Sequence, residues 1–146
     1  MNTYKLRFGI VLALAFVIGL LFAAVPGGSV NAATKTVCPG GTCDYTTIGA
    51  AVTGATAGDT ITVAAGTYNE TVTVSKSLTI TLANSVVVNG ATSCFAISAD
   101  NVTVNTASNG GAKCKPGSTS NGIAVTATNG TRIIGLEAAG TTPSAV

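Results

Sequence analysis

The chain has 146 residues, with seven Lys and Arg against five Asp and Glu, a formal net charge of +2, 47% hydrophobic and 8% charged residues, and neither His nor Trp. That length suits one small domain. The missing histidine excludes Ser-His-Asp and Cys-His nucleophile systems, His-ligated zinc and imidazole proton shuttles, and the near-neutral charge balance argues against a nucleic-acid-binding protein.

Lys5 and Arg7 precede an uncharged apolar run of 18 residues, Phe8 to Val25, followed by Pro26, Gly27 and Gly28. A positive start, an apolar centre, then a breaker and small residues is the order of a secretory signal peptide. Val30 and Ala32 satisfy the small-residue preference before a cut, so residues 1–32 are expected to be removed after Ala32, with Ala33 as the second choice. The run is also long enough to stay as an uncleaved anchor, the one route by which this chain would meet a membrane. Pro26 and the glycines, with no basic stop-transfer cluster behind them, argue for cleavage. Loss of Lys5 and Arg7 leaves five basic and five acidic residues. The mature chain is then neutral, and the expected address is secreted, extracellular or cell-surface.

Residues 33–45 carry Cys38 and Cys43; Cys94 and Cys114 follow. An even cysteine count in an exported chain favours disulfides. Three pairings are open, and Cys38–Cys43 across the Pro39 to Thr42 turn, with Cys94–Cys114, is preferred. A zinc ion on four thiolates is disfavoured because no Cys-x2-Cys pair occurs, and no metal site is assigned.

From residue 46 onward the pattern becomes regular. Thr46 or Thr47 can cap a short helix in which Ile48, Ala51, Val52 and Ala55 recur at helical spacing. Its apolar stripe is narrow, so it must lie on something larger. Gly54, Gly58 and Asp59 end it. Short strands are then expected at Ile61 to Val63, Val72 to Val74, Leu78 to Leu82, Val86 to Val88, Phe95 to Ile97, Val102 to Val104, Ile123 to Val125 and Arg132 to Leu136. Threonine alternates with Val and Ile, which suits a pleated surface with one buried face.

The strands come too often for a sandwich, and a longer period accounts for them better. Val72 and Val74 fall on Phe95 and Ile97, then on Ile123 and Val125. Leu78 and Ile80 fall on Val102 and Val104, then on Thr131 and Ile133. Ile61 and Val63 fall on Val86 and Val88. The longer second interval suggests a loop insertion around Gly110 to Ser120, and Asn89-Gly90, Asn109-Gly110, Asn121-Gly122 and Asn129-Gly130 suggest tight turns. The expected fold is an all-β parallel solenoid of about three coils, each adding one strand to each of three sheets about 4.8 Å from the previous one. A solenoid needs capped ends. The helix can close the first, whereas Thr141 to Val146 offers no cap, so either the protein is expected to continue or another chain to stack there.

The stretch Tyr45 to Leu82, YTTIGAAVTGATAGDTITVAAGTYNETVTVSKSLTITL, resembles the start of right-handed parallel β-helix proteins of the pectin lyase-like superfamily. That resemblance implies the right-handed winding, a helix capping the N-terminal end, Gly58-Asp59-Thr60 opening the first strand, and Gly66-Thr67-Tyr68-Asn69-Glu70 linking it to the next. Gly66-x-Tyr68-x-Glu70 also looks like a segment of pectin methylesterases, but the Asp-Phe-Ile-Phe-Gly and Gly-Arg-Pro-Trp runs of that family do not occur here. A structural role fits the motif better: Gly66 turns the chain, Tyr68 covers the cap edge and Glu70 accepts turn hydrogen bonds.

Polysaccharide lyases need a basic residue that removes a proton beside a uronate, usually with carboxylates that bind Ca2+. The acids beyond the leader are Asp44, Asp59, Glu70, Asp100 and Glu137, and nothing in their spacing selects a pair, so no catalytic residue is assigned. Ca2+ enters only if the protein is a lyase. Lys113, Lys115 and Arg132 form the one local basic grouping, able to meet if the insertion folds back, and with Tyr68 they are the candidates for contact with an anionic sugar. The expected function is that of a noncatalytic β-helix module that scaffolds or presents polysaccharide, with extracellular polysaccharide or further coils of the same protein as partners. The alternative is the N-terminal part of a pectate lyase or pectinesterase type of enzyme whose catalytic coils lie beyond Val146.

Overall fold

The computed structural model describes residues 31–108, 111–117, 122–126 and 129–138. Nearly all of the expected leader, and the tail from 139, lie outside them. The elements in chain order are β1 (Thr34–Val37), α1 (Ile48–Gly54), β2 (Thr60–Val63), β3 (Gly66–Tyr68), β4 (Val72–Val74), β5 (Thr79–Leu82), β6 (Val86–Gly90), β7 (Phe95–Ile97), β8 (Thr103–Thr106), β9 (Ala112–Pro116), β10 (Ile123–Val125), β11 (Arg132–Ile134) and β12 (Leu136–Ala138).

Alternation of Thr with a branched apolar residue fixes which way each side chain points. In β2 and β5 the apolar residues Ile61, Val63, Ile80 and Leu82 are buried, while Thr60, Thr62, Thr79 and Thr81 face outward. A strand with one apolar face must cover it, and here the cover is the interior shared by three sheets. The first sheet has the order β1-β2-β5-β8-β11, the second β3-β6-β9-β12 and the third β4-β7-β10. All nine strand pairs described are parallel. The chain therefore climbs as a parallel β-solenoid: three complete coils, preceded by β1 and followed by β11 and β12, about four turns in all.

Register makes the interior. Ile61 lies beside Ile80, Ile80 beside Val104 and Val104 beside Ile133. On the third sheet Val72, Phe95 and Ile123 form one column and Val74, Ile97 and Val125 another. Val37, Ile61, Val63, Val72, Val74, Ile80, Leu82, Val86 and Phe95 are fully buried in one continuous core. Each such side chain contributes roughly 1.5–3 kcal/mol by leaving water. At the last turn the burial falls off, with Val125, Ile133 and Ile134 exposed.

Four expectations are corrected. Val86 and Val88 do not lie over Ile61 and Val63; they stand beside Gly66 and Tyr68, and Ile61 and Val63 pair with Ile80 and Leu82. Coil length explains the slip. Along the first sheet it grows from 19 residues (Thr60 to Thr79) to 24 (Thr79 to Thr103) to 29 (Thr103 to Arg132), so a period taken from the later coils misplaces the first. Next, Lys113, Cys114, Lys115 and Pro116 are not in a loop: they belong to β9, whose Ala112 and Cys114 are buried beside β6. Arg132 to Leu136 is two strands rather than one, divided at Gly135, which has φ +74°. Finally, Asn89-Gly90 is the end of β6 and not a turn; left-handed backbone occurs instead at Ser85 (φ 65°), Asn101 (φ 54°) and Gly130 (φ 70°). Asn109-Gly110 and Asn121 lie outside the described residues. β1 and β3 were not expected as strands at all, because Thr34-Lys35-Thr36 and Gly66-Thr67-Tyr68 carry too little apolar signal.

Both disulfides have the preferred pairing, Cys38–Cys43 and Cys94–Cys114. The second ties the entry of β7 to β9 of the next coil, inside the core. Two disulfides are characteristic of an oxidising, extracellular environment. Among the described residues no helix is long and apolar enough to cross a membrane.

Ile80 sits in the middle of the longest column, so Ile80→Ala should cost about 2–5 kcal/mol in urea unfolding. Thr81→Ala, on the outer face of the same strand, should stay within about 0.5 kcal/mol.

Candidate functional site

Charged side chains are few, and several of them are bonded to main-chain groups. Thr47 caps α1, its hydroxyl accepting from the Ala50 N–H, and Ile48, Ala51 and Val52 face the core. The Glu70 carboxylate accepts from the Ile48 and Gly49 N–H groups, both at 2.8 Å. At the other end the Lys76 ammonium donates to the carbonyls of Val52, Thr53 and Ala55 at 3.2, 2.9 and 2.7 Å. A negative group at the helix start and a positive one at its end both complement the helix dipole and satisfy groups that the helix leaves unpaired. Glu70 thus serves the helix and not its own turn, and Lys76 has a role that its sequence neighbourhood does not announce.

The other members of the turn motif are also placed structurally. Gly66 has φ +152°, and a β-carbon there would approach Pro39 to 2.8 Å. Tyr68 is 3% exposed, its hydroxyl donating to the Ala64 carbonyl at 2.9 Å. Burial, and then the nearby Glu70 charge, raise its pKa. An inward, hydrogen-bonded ring has no face to offer a sugar, which moves Tyr68 from the binding candidates to the packing of the first coil. Gly58 has φ +92° and hands the chain to Asp59. Asp59 accepts from the Thr56 N–H at 2.9 Å, the Ala33 N–H at 2.8 Å and the Thr56 hydroxyl at 3.0 Å. These bonds, led by the Thr56 N–H, hold its carboxyl below the usual range. Asp44 is likewise held down, by the Thr36 N–H and then the Thr36 hydroxyl. Asp100 accepts from the Asn129 N–H at 2.7 Å. Four of the five acids are therefore committed to main-chain N–H groups, and Glu137 alone is exposed on a strand, β12.

The basic residues divide. Lys113 and Lys115 are both exposed on the outer face of β9. Arg132 stands on β11 of the first sheet, beside Thr103. The structure does not bring Arg132 to the two lysines, because β9 is locked into the second sheet by Ala112, Cys114 and the disulfide, and cannot fold back. Lys113 lies in register between Val87 and Glu137. Lys115 is in register with Asn89, whose side-chain amide donates to Asn69 Oδ1 at 2.7 Å.

Lys113 also borders a groove of about 450 Å³ where the first sheet bends into the second, lined with Asn84, Ser85, Val87, Ser108 and Gly111. Two successive corners build it. Ser108 donates from its hydroxyl to the Asn84 side-chain oxygen at 2.8 Å, stacking one corner on the other. Gly111 faces Asn84 so closely that a β-carbon there would collide with it. An amide, two hydroxyls and an ammonium around an open groove offer donors and acceptors suited to a hydroxylated, negatively charged ligand. The sequence pointed to Lys113 but not to Asn84, Ser85 or Ser108; Asn84 and Ser85 belong to the previous coil and meet Lys113 only through the coil-to-coil register, whereas Ser108 lies at the corner just before β9.

Comparison with protein families, with curated proteins and with solved structures finds no match.

A carboxyl whose folded pKa is lowered contributes stability above its unfolded value, and loses it as pH falls through the folded value. With Asp44 and Asp59 both lowered, the urea midpoint should be flat from neutrality to about pH 5 and fall below about pH 4. Asp59→Asn should make that fall shallower, as measured by urea unfolding across the same pH series.

Proposed function

We propose that the mature chain is a secreted or cell-surface, right-handed parallel β-helix module of the pectin lyase-like kind, noncatalytic, which scaffolds and binds acidic polysaccharide. The observation that carries this reading is the division of labour among charges. Asp44, Asp59, Glu70 and Asp100 are bonded to main-chain N–H groups, whereas Lys113 and Lys115 are exposed on one sheet face, Lys113 beside a polar groove. Carboxylates that hold turns and a helix cap are poor candidates for proton transfer. Two ammonium groups spaced two residues apart on a rigid strand, about 6.6 Å, can meet successive carboxylates of a uronate chain. The groove then takes one sugar ring, with the Lys113 ammonium on its carboxylate and the Asn84 and Ser85 side chains on its hydroxyls.

A leader removed after Ala32, consistent with the two disulfides, belongs to the same reading. A second reading keeps the N-terminal part of a pectate lyase or pectinesterase type of enzyme, with its catalytic coils downstream. The Tyr45 to Leu82 resemblance favours it. Ca2+ would enter only there.

Polygalacturonate should bind the protein at low salt without losing chain length. Lys113→Ala with Lys115→Ala should weaken binding at least about tenfold, and raising ionic strength from about 0.01 to 0.15 M should do the same to the unaltered protein. Affinity electrophoresis reads both. Equal retention of the double variant would remove the lysines from the site, and shortening of the polymer would reverse the noncatalytic assignment.

A further inference from the structure

Asn31 and Ala32 are exposed, and the chain enters the fold at the next residue. The Thr60 N–H donates to the Ala33 carbonyl at 2.8 Å, and Thr34 stands in register with Thr60. These contacts pin Ala33 with its nitrogen 2.8 Å from Asp59 Oδ1. Asp59 is 2% exposed, and its second oxygen is occupied by Thr56. Among the described residues the other charged group that acts on it is Lys35 on β1, the weakest of the influences on its pKa.

We propose that removal of residues 1–32 converts the Ala33–Asp59 hydrogen bond into an ion pair, so that the new N-terminus is itself the group that completes the first coil. Hydrolysis of the Ala32–Ala33 peptide bond by a leader peptidase consumes one water. It releases residues 1–32 with a carboxylate on Ala32 and leaves Ala33 with an amine that takes up a proton. The same nitrogen, held in place by its own residue's carbonyl, now carries a positive charge against a carboxylate largely removed from water. A charge-assisted bond is shorter and stronger than the neutral one it replaces. The uncleaved chain leaves a buried carboxylate with neutral donors, and cleavage supplies its counter-charge. The first coil thereby becomes more stable after processing than before it, a direct coupling of export to folding.

This inference rests on the reading of residues 1–32 as a removed leader, and the two fail differently. The full chain is expressed in an exporting host and the first residue of the exported protein is determined by mass spectrometry. Ala33 is expected, and any other start overturns both. The α-amine of that protein is then titrated by NMR. It should titrate above the ordinary range of about 8 for an N-terminus, and Asp59→Asn should return it there. Since Asp59 also holds Thr56, a second variant keeps the carboxylate: one Gly inserted between Ala32 and Ala33 leaves an amide on Ala33, the geometry already described, and moves the ammonium about 3.8 Å along the chain. This variant should fold and melt lower by about 4 °C near pH 6–7. A group whose folded pKa is raised stabilises below its unfolded value and loses that contribution as pH rises through the folded one, so the difference should vanish above about pH 10. An Ala33 start with an ordinary amine titration, or with equal melting of the two forms at pH 7, overturns the ion pair while leaving the leader reading intact.

Discussion

Side chains that point inward from one coil must rest on those of the next, and this vertical contact governs the rest of the molecule. Parallel strands about 4.8 Å apart leave each interior position one neighbour above and one below. Branched aliphatic residues fill such a column on the first sheet, where Ile61, Ile80 and Val104 stack, and on the third the aromatic Phe95 lies between Val72 and Ile123. Because stacking fixes only the inward residue, the outward one is left open to threonine, and columns such as Thr60, Thr79 and Thr103 result. The turns between strands are under a weaker constraint. They lengthen from coil to coil, and the corners built by Asn84 and Ser108 form the polar groove.

An end of a solenoid has no neighbouring coil, and here the first end is closed by charge as much as by apolar contact. A helix of seven residues is too short to persist alone. It is held because Glu70 and Lys76, on either side of β4, grip its two ends. Asp59 performs the parallel task one corner away, gathering Thr56 and Ala33.

The legible and illegible parts of the candidate site follow from the same geometry. Lys113 and Lys115 were visible as a basic grouping, but their setting was not, since the segment reads as a Gly- and Ser-rich insertion. Burial of Ala112 and Cys114 makes it a strand, and that burial comes from β6, more than twenty residues earlier. Arg132 looked like their companion by sequence distance and stands on another sheet. Tyr68, an aromatic in a polar segment, looked available, yet Ala64 and the cap enclose it.

The sequence by itself determined the parallel solenoid, its three strand positions per coil and a short helix capped by Thr46 or Thr47, because alternation and capping are local and a coil repeat leaves its period in the apolar residues; among three cysteine pairings it only preferred the one the structure has. Tertiary structure alone decided the register of the first coil, the strand character of 112–116, the grip of Glu70 and Lys76 on the helix, and the meeting of Asn84 and Ser108 beside Lys113. Each of those depends on how many residues the intervening turns contain, and turns carry no apolar period from which that number can be read.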